Sequence, residues 1–114
     1  MKKRLKQKPG SPQEERGHVF IWSGDFRVYI LQCRDGSYYT GHTHDLSSRL
    51  KLHREGKGAK YVRSRLPFRL VYSKEYRYFK QAFAEECRIK GLLRPDKEKL
   101  VKEYRRDQRI KRGG

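Results

Sequence analysis

The sequence contains no apolar run approaching the ~20 residues that a membrane span needs, and its lysine-rich start leads into no hydrophobic segment of the secretory kind. A soluble, cytoplasmic protein with no membrane partner is the expectation. Cysteine is scarce: Cys33 and Cys87 are the only two, neither forms a CxxC pair, and no histidine stands near either at zinc-ligand spacing. This argues against a structural zinc site, and both are expected to be buried, reduced thiols. Acid is scarce as well, with 13 Asp and Glu against 30 Lys and Arg, so the formal charge is +17. Such a surface repels itself and attracts polyanions, and release of phosphate counterions is the main source of sequence-independent nucleic-acid affinity. Nucleic acid is therefore the leading partner class. With 34% hydrophobic residues in 114, the chain has material for one small domain with a thin core, expected as a monomer.

The basic residues are spread along the chain. Residues 1–24 hold six basic and two acidic residues, and residues 102–114 again hold six and two. Both ends are poor in apolar residues, which predicts a basic, mostly flexible leader over 1–24, a folded domain over 25–104 and a basic flexible tail over 105–114. Residues 18–22 are the exception, since Val19-Phe20-Ile21-Trp22 is apolar enough to cover an edge of the core, with aromatic contact to bases as the other reading.

Within the domain, residues 26–33 and 37–42 are rich in aromatic and β-branched types and are separated by the turn signal Arg34-Asp35-Gly36, which predicts a β-hairpin. Two registers are open. A two-residue Asp-Gly loop puts Tyr29 and Tyr39 on opposite faces, whereas a three-residue loop with Gly36 left-handed pairs Tyr29 with Gly41 and puts the tyrosines on one face. Asp45 can cap a helix of about three turns carrying Leu46, Leu50 and His53, ended by Glu55-Gly56-Lys57-Gly58. A third strand is expected over about 68–76, and a helix over about 78–92 whose apolar stripe is Ala82, Glu86, Ile89 and Leu93. Pro95 opens a last helix over about 96–104. The order is ββαβαα and the class α+β.

Glu86 is the hardest residue to assign to packing, because an unpaired carboxylate in an apolar stripe is costly. It either pairs with Lys90 one turn on or lines a cleft that receives a cation. Arg49 and His53 are also one turn apart, so their heads share a face and could both reach a phosphate, or could simply be two polar residues of a solvated surface.

Taken in order, Val28-Tyr29-Ile30-Leu31, Asp35-Gly36-Ser37, Tyr39-Thr40-Gly41, Asp45-Leu46 with Arg49-Leu50 and His53, Gly56-Lys57-Gly58-Ala59-Lys60-Tyr61, and Glu86 with Ile89-Lys90 resemble the GIY-YIG nuclease superfamily over residues 26–101. The likeness is to its small, standalone bacterial group. The resemblance implies a small three-stranded antiparallel sheet flanked by helices and a nuclease with one divalent metal, Mg²⁺ or Mn²⁺. It carries Tyr29 and Tyr39 over as the two motif tyrosines, Arg49 and His53 as the helical arginine and histidine, and Glu86 as the metal-binding glutamate. Three departures are visible: Arg27 stands where the first motif has glycine, His42 directly follows the second motif, and the chain has no asparagine at all where many members carry one beyond the glutamate.

The implied chemistry is an endonuclease that hydrolyses DNA phosphodiesters. Mg²⁺ needs only one or two carboxylates beside its waters and a phosphate oxygen, so Glu86 alone suffices. A tyrosine of ordinary pKa near ~10 is a poor base, and Arg49, a protonated histidine or the metal would favour its phenolate. Tyr29 would deprotonate the attacking water with Tyr39 as partner or substitute, Arg49 would stabilise the phosphoryl oxygens, and the metal the leaving 3′ oxygen. Tyr29, Tyr39, Arg49 and Glu86 are expected around one cleft on one sheet face. Two other readings stand beside this: a catalytically weak or inactive nucleic-acid-binding module of the same fold, and an RNA-associated basic protein with no site.

Overall fold

The computed structural model describes residues 23–113. Its elements run β1 (Ser23–Cys33), β2 (Tyr38–Thr43), α1 (Leu46–Arg54), α2 (Lys60–Arg63), β3 (Phe68–Tyr78), α3 (Phe79–Lys90) and α4 (Arg94–Gly113), and the strands form one antiparallel sheet in the order β2-β1-β3. The α+β class and the helix-flanked three-stranded sheet are as the sequence implies. The central strand explains the layering. Val28, Tyr29, Ile30 and Leu31 are each fully buried, and because side chains alternate along a strand, both faces of the sheet must be covered. Phe26, Val28 and Ile30 pack with Ala82 and Ile89 of α3 and Val101 of α4. Tyr29, Leu31 and Cys33 pack on the other face with Leu50 of α1 and Val62 of α2.

The hairpin adopts the longer loop. The Cys33 N–H donates to Ser37 O at 2.8 Å, the Gly36 N–H donates to Cys33 O at 2.9 Å, and Gly36 has φ +87°. The resulting register pairs Tyr29 with Gly41 and Leu31 with Tyr39, so both tyrosines point to the α1 face. Asp45 caps α1 through a 3.2 Å bond from the Ser48 N–H. At the other end, the Gly56 and Lys57 N–H groups close back on His53 O and Leu52 O with Gly56 at φ +74°, the double bond pattern that stops a helix and turns the chain sharply.

Several expectations need correction. α1 has 9 residues, two and a half turns rather than three. The one-turn helix α2 was not expected, since four residues are too few to show a period, yet its Val62 is fully buried. β3 runs to Tyr78, two residues beyond the expected end, with a shift of register that leaves Val71 extra between Leu70, opposite Leu31, and Tyr72, opposite Ile30. α3 stops at Lys90 rather than 92. Most consequential, α4 starts two residues early and continues to Gly113 where a flexible tail from 105 was expected. Its last turns are built mostly of Arg, Gln and Lys, which lose little side-chain freedom in a helix, and no glycine or proline interrupts them before the end. Cys33 is buried as expected but Cys87 is exposed, since it lies one residue off the buried stripe of α3. β1 begins within the expected leader, and residues 18–22 lie outside the described residues. Among the described residues, no helix is long and apolar enough to cross a membrane.

At Gly36 an added Cβ meets nothing within 4 Å, so only the left-handed backbone resists substitution. Gly36→Ala should therefore lower the unfolding free energy by about 1–2 kcal/mol, read from urea unfolding midpoints, without rearranging the fold.

Candidate active site

On the α1 face, the Tyr29 hydroxyl lies 3.0 Å from His53 Nε2, with both side chains buried. The cross-strand partner of Tyr29 is Gly41, and a Cβ there would come within 2.8 Å of the Tyr29 hydroxyl, so the glycine of the second motif makes room for the tyrosine of the first. Tyr39 lies beside Tyr29, with ring centroids 6.3 Å apart, and its ring meets that of His53 edge-on at 5.7 Å. Phe68 closes another side of the imidazole. The chain reversal after α1 brings Gly58 against His53 Nδ1, where any Cβ would stand 2.2 Å from the nitrogen, and Nδ1 has no hydrogen-bond partner. Tyr61 stacks on the outer side of Tyr39, and the Arg65 guanidinium lies 3.8 Å from the Tyr61 ring centroid.

Glu86 arrives from a different direction than the sequence implies. It sits between Ala82 and Ile89 on the buried side of α3, the helix that covers the Val28 and Ile30 face. There it accepts a hydrogen bond from His42 Nδ1 and an ion pair from Lys90 Nζ, whose nitrogen is 2.7 Å from Oε2. His42 is the cross-strand partner of Val28, so it too belongs to that face. The single-face cleft is thus corrected: the tyrosines and His53 occupy one side of the sheet and Glu86 the other, because its helix packs there. β2 is an edge strand, however, and both groups adjoin it, since Tyr39 and His42 both lie on that strand. They interact around it, since Glu86 is among the charges that raise Tyr29 and Tyr39 among those that raise Lys90. Phe79 and Phe83 stack on each other next to His42 and continue the same line along α3.

The electrostatics divide accordingly. Burial pushes the Tyr29 phenol well above its ordinary range and Tyr39 adds to this, while Arg49 pulls it back by charge and hydrogen bonding. Burial, then the nearby Arg49, push the His53 imidazole below its ordinary value, so His53 is neutral, not the protonated partner considered for the phenolate. Burial alone would raise Glu86, but the hydrogen bonds from Lys90 and His42 outweigh it and hold the carboxyl below its ordinary value, hence ionised. All five residues singled out by sequence therefore sit on or beside β2, on two faces. His42 was noticed only as a departure from the motif, Gly58 and Tyr61 only as motif letters, and Gly41 only as the partner of Tyr29 in one of two registers. Spacing gives no sign of their packing roles, which depend on contacts far apart in sequence. Among the described residues no three His, Cys, Asp or Glu side chains gather as a metal cage. The donor set instead fits a hydrated divalent ion held by one ionised carboxylate together with a substrate phosphate.

Neutral buried His53 links stability to pH. In the unfolded chain it takes up a proton below about pH 6.5, whereas in the fold its lowered pKa delays protonation. The unfolded state then binds more protons, so stability is lost as pH falls through this window, by at most about 1.4 kcal/mol per pH unit for one group. Urea midpoints should drop between about pH 7 and about pH 5.5, and His53→Gln should flatten that part of the profile. A native midpoint that stays level there would contradict the assignment.

Residues 26–100 match the GIY-YIG catalytic domain. The UPF0213 protein of Streptococcus pneumoniae serotype 4 is 46% identical over 76 residues, covering 67% of this chain and 77% of that protein. UPF0213 protein OB0043 of Oceanobacillus iheyensis is 53% identical over 74 residues, 65% of this chain and 86% of that protein. Among solved structures, the solution NMR structure of protein EF2693 from E. faecalis covers 73% of this chain and 91% of its own at 31% identity, with a TM-score of 0.51. With its tyrosines, Arg49, His53 and Glu86 inside the matched region, the chain belongs to the GIY-YIG nuclease superfamily, alongside the small UPF0213 proteins.

Proposed function

We propose that the protein is a metal-dependent endonuclease that hydrolyses phosphodiester bonds of DNA, with Tyr29 as general base and Glu86 as the protein ligand of one Mg²⁺ or Mn²⁺ ion. The observation that carries this reading is the buried Tyr29–His53 hydrogen bond beside Arg49, facing an ionised Glu86 across a single edge strand. The unpartnered Nδ1 indicates the tautomer. A buried N–H with no acceptor is rarer than a bare acceptor, so the imidazole proton belongs on Nε2, where it donates to the Tyr29 oxygen. Tyr29 then keeps a donor in both of its protonation states, and Arg49 adds charge that favours the phenolate. The phenolate takes a proton from water as the water oxygen bonds phosphorus and the bond to the 3′ oxygen breaks. Arg49 neutralises charge on the non-bridging oxygens. A divalent ion at Glu86, when bound, supplies positive charge to the phosphate and to the leaving oxygen. Tyr39 orders the site by packing against both His53 and Tyr29.

A second reading, a nucleic-acid-binding module with little or no catalysis, has two observations in its favour: Glu86 lies on the opposite face of the sheet from Tyr29, and both its oxygens are already taken, one by His42 and one by Lys90. The two readings separate on incubation of the protein with single-stranded, duplex and branched DNA in Mg²⁺, Mn²⁺ or chelator. The nuclease reading expects metal-dependent nicking, a fall of about 10²–10⁴-fold in rate for Tyr29→Phe, and loss of cleavage with retained DNA binding for Glu86→Gln. Undiminished cleavage in chelator would sink the one-metal mechanism, and binding with no cleavage in any metal would leave the module reading.

Lys90 gives a test that does not depend on turnover. Its ammonium competes with a divalent ion for Glu86, so in the absence of DNA the ion should bind weakly. Lys90→Met should tighten Mn²⁺ binding several-fold in titration calorimetry, and Lys90→Arg should not.

A further inference from the structure

α4 leaves the body of the domain as a one-sided basic helix. It starts near the hairpin, where Arg94 donates to Gly36 O at 2.9 Å and its guanidinium lies 4.5 Å from the Tyr38 ring centroid. It passes through the core at Val101 and makes its late contacts on β3, with Tyr104 packed on Tyr72 and 3.4 Å from the Ser73 hydroxyl. Beyond Val101 the outer face carries Lys102, Arg105, Arg106 and Arg109, which with Ile110 line a shallow groove. All four basic side chains are exposed, and none makes an ion pair among the described residues. At 100° per residue they fall within one sector about 100° wide, with Glu103 about 60° past Arg106 at its edge and Asp107 farther round. The four are spaced three and four apart, so each repels two others along the helix.

We propose that this face of α4 is an arm that binds the phosphate backbone of nucleic acid, separate from the candidate active site. The inference rests on the nucleic-acid reading of the fold and adds a contact surface to it. Lys102 and Arg109 are seven residues apart, a rise of ~10 Å along the helix and about three nucleotide steps along one strand, so four cations meet a comparable number of phosphates. A polyanion converts their mutual repulsion into attraction, which no contact among the described residues does. A lipid surface fits less well. Membrane-lying helices need a broad apolar face, whereas Ile110 is the one large exposed apolar residue along this half of α4 among the described residues. The arm also starts where the match to the catalytic domain ends, at residue 100, and its late contacts are on β3, the sheet edge opposite β2. It therefore contributes affinity, not chemistry.

The test uses the full chain in chelator, with binding to a duplex oligonucleotide followed by fluorescence anisotropy over a series of salt concentrations. Replacing Lys102, Arg105, Arg106 and Arg109 together by Gln should make the slope of log K against log salt shallower by about three to four for duplex and about three for a single strand. Between about 50 and 200 mM salt, the native affinity should accordingly fall roughly a hundredfold further than that of the variant. Exchanging Lys for Arg and Arg for Lys at the same four positions should restore the native slope, because the arm counts charges. Circular dichroism should show the same helix content in all three proteins, since Val101 and Tyr104 are untouched. Equal slopes for the native and Gln-substituted proteins would overturn the proposal, as would a loss of binding to phosphatidylserine vesicles with none to DNA. A native protein that binds DNA with the steeper slope but never cuts it would leave the arm standing and remove the nuclease reading.

Discussion

Gly36 takes a backbone conformation that other residues resist, and the register of the β1–β2 hairpin depends on it. The three-residue loop places Gly41, not a residue with a side chain, opposite Tyr29. From that pairing follow the room for the Tyr29 hydroxyl over β2, its hydrogen bond to His53, and the stacking of Tyr39 and Tyr61 outward from it. A slip of one residue would turn either tyrosine to the other face and separate the pair. The turn after α1 does the complementary work from the other side, since its left-handed Gly56 returns the chain so that Gly58 can lie flat against the imidazole. Glycines at 36, 41, 56 and 58 thus position side chains that they never touch through side chains of their own.

The groups on the two sides of β2 are arranged by the same economy of space. Glu86 is tolerable in the buried stripe of α3 because Lys90 and His42 satisfy it, and both partners lie at the rim of the sheet rather than within the core. The carboxylate is thereby kept ionised and aimed along an edge strand instead of into apolar surroundings. On the opposite face, burial keeps Tyr29 and His53 uncharged until something changes their environment. The two faces hold opposite electrostatic habits, one charged and compensated, the other neutral and enclosed.

Much of this was legible in the residues. The hairpin, the capping role of Asp45 and the three strands follow from local chemistry, and the order of short motifs pointed to the superfamily. Glu86 also stood out correctly as a polar residue in an apolar stripe, and of its two readings the pairing with Lys90 is present in the fold. What stayed hidden was non-local. The alternation of a strand says that two residues share a face but not which helix will cover it, so the placement of Glu86 opposite the tyrosines needed coordinates. The single turn around Val62 has no period to detect, and the contact between His53 and Gly58 is between a helix and the loop that follows its cap. The extension of α4 was missed for another reason: a run of arginines reads as a solvated tail by composition, although the same residues are good helix formers.

The placement of the candidate chemistry on β2 has a cost in colloidal terms. An edge strand presents unpaired N–H and C=O groups, and proteins usually cover or shorten such edges to avoid pairing with other copies. Under the proposed function this edge stays open to a substrate, and it is only 6 residues long. The excess of +17 then has a second use, because long-range repulsion between copies keeps two bare edges from meeting. A polyanion in near-stoichiometric amount cancels that repulsion, so the condition under which the protein meets nucleic acid is also the one in which its exposed strands are least protected from one another.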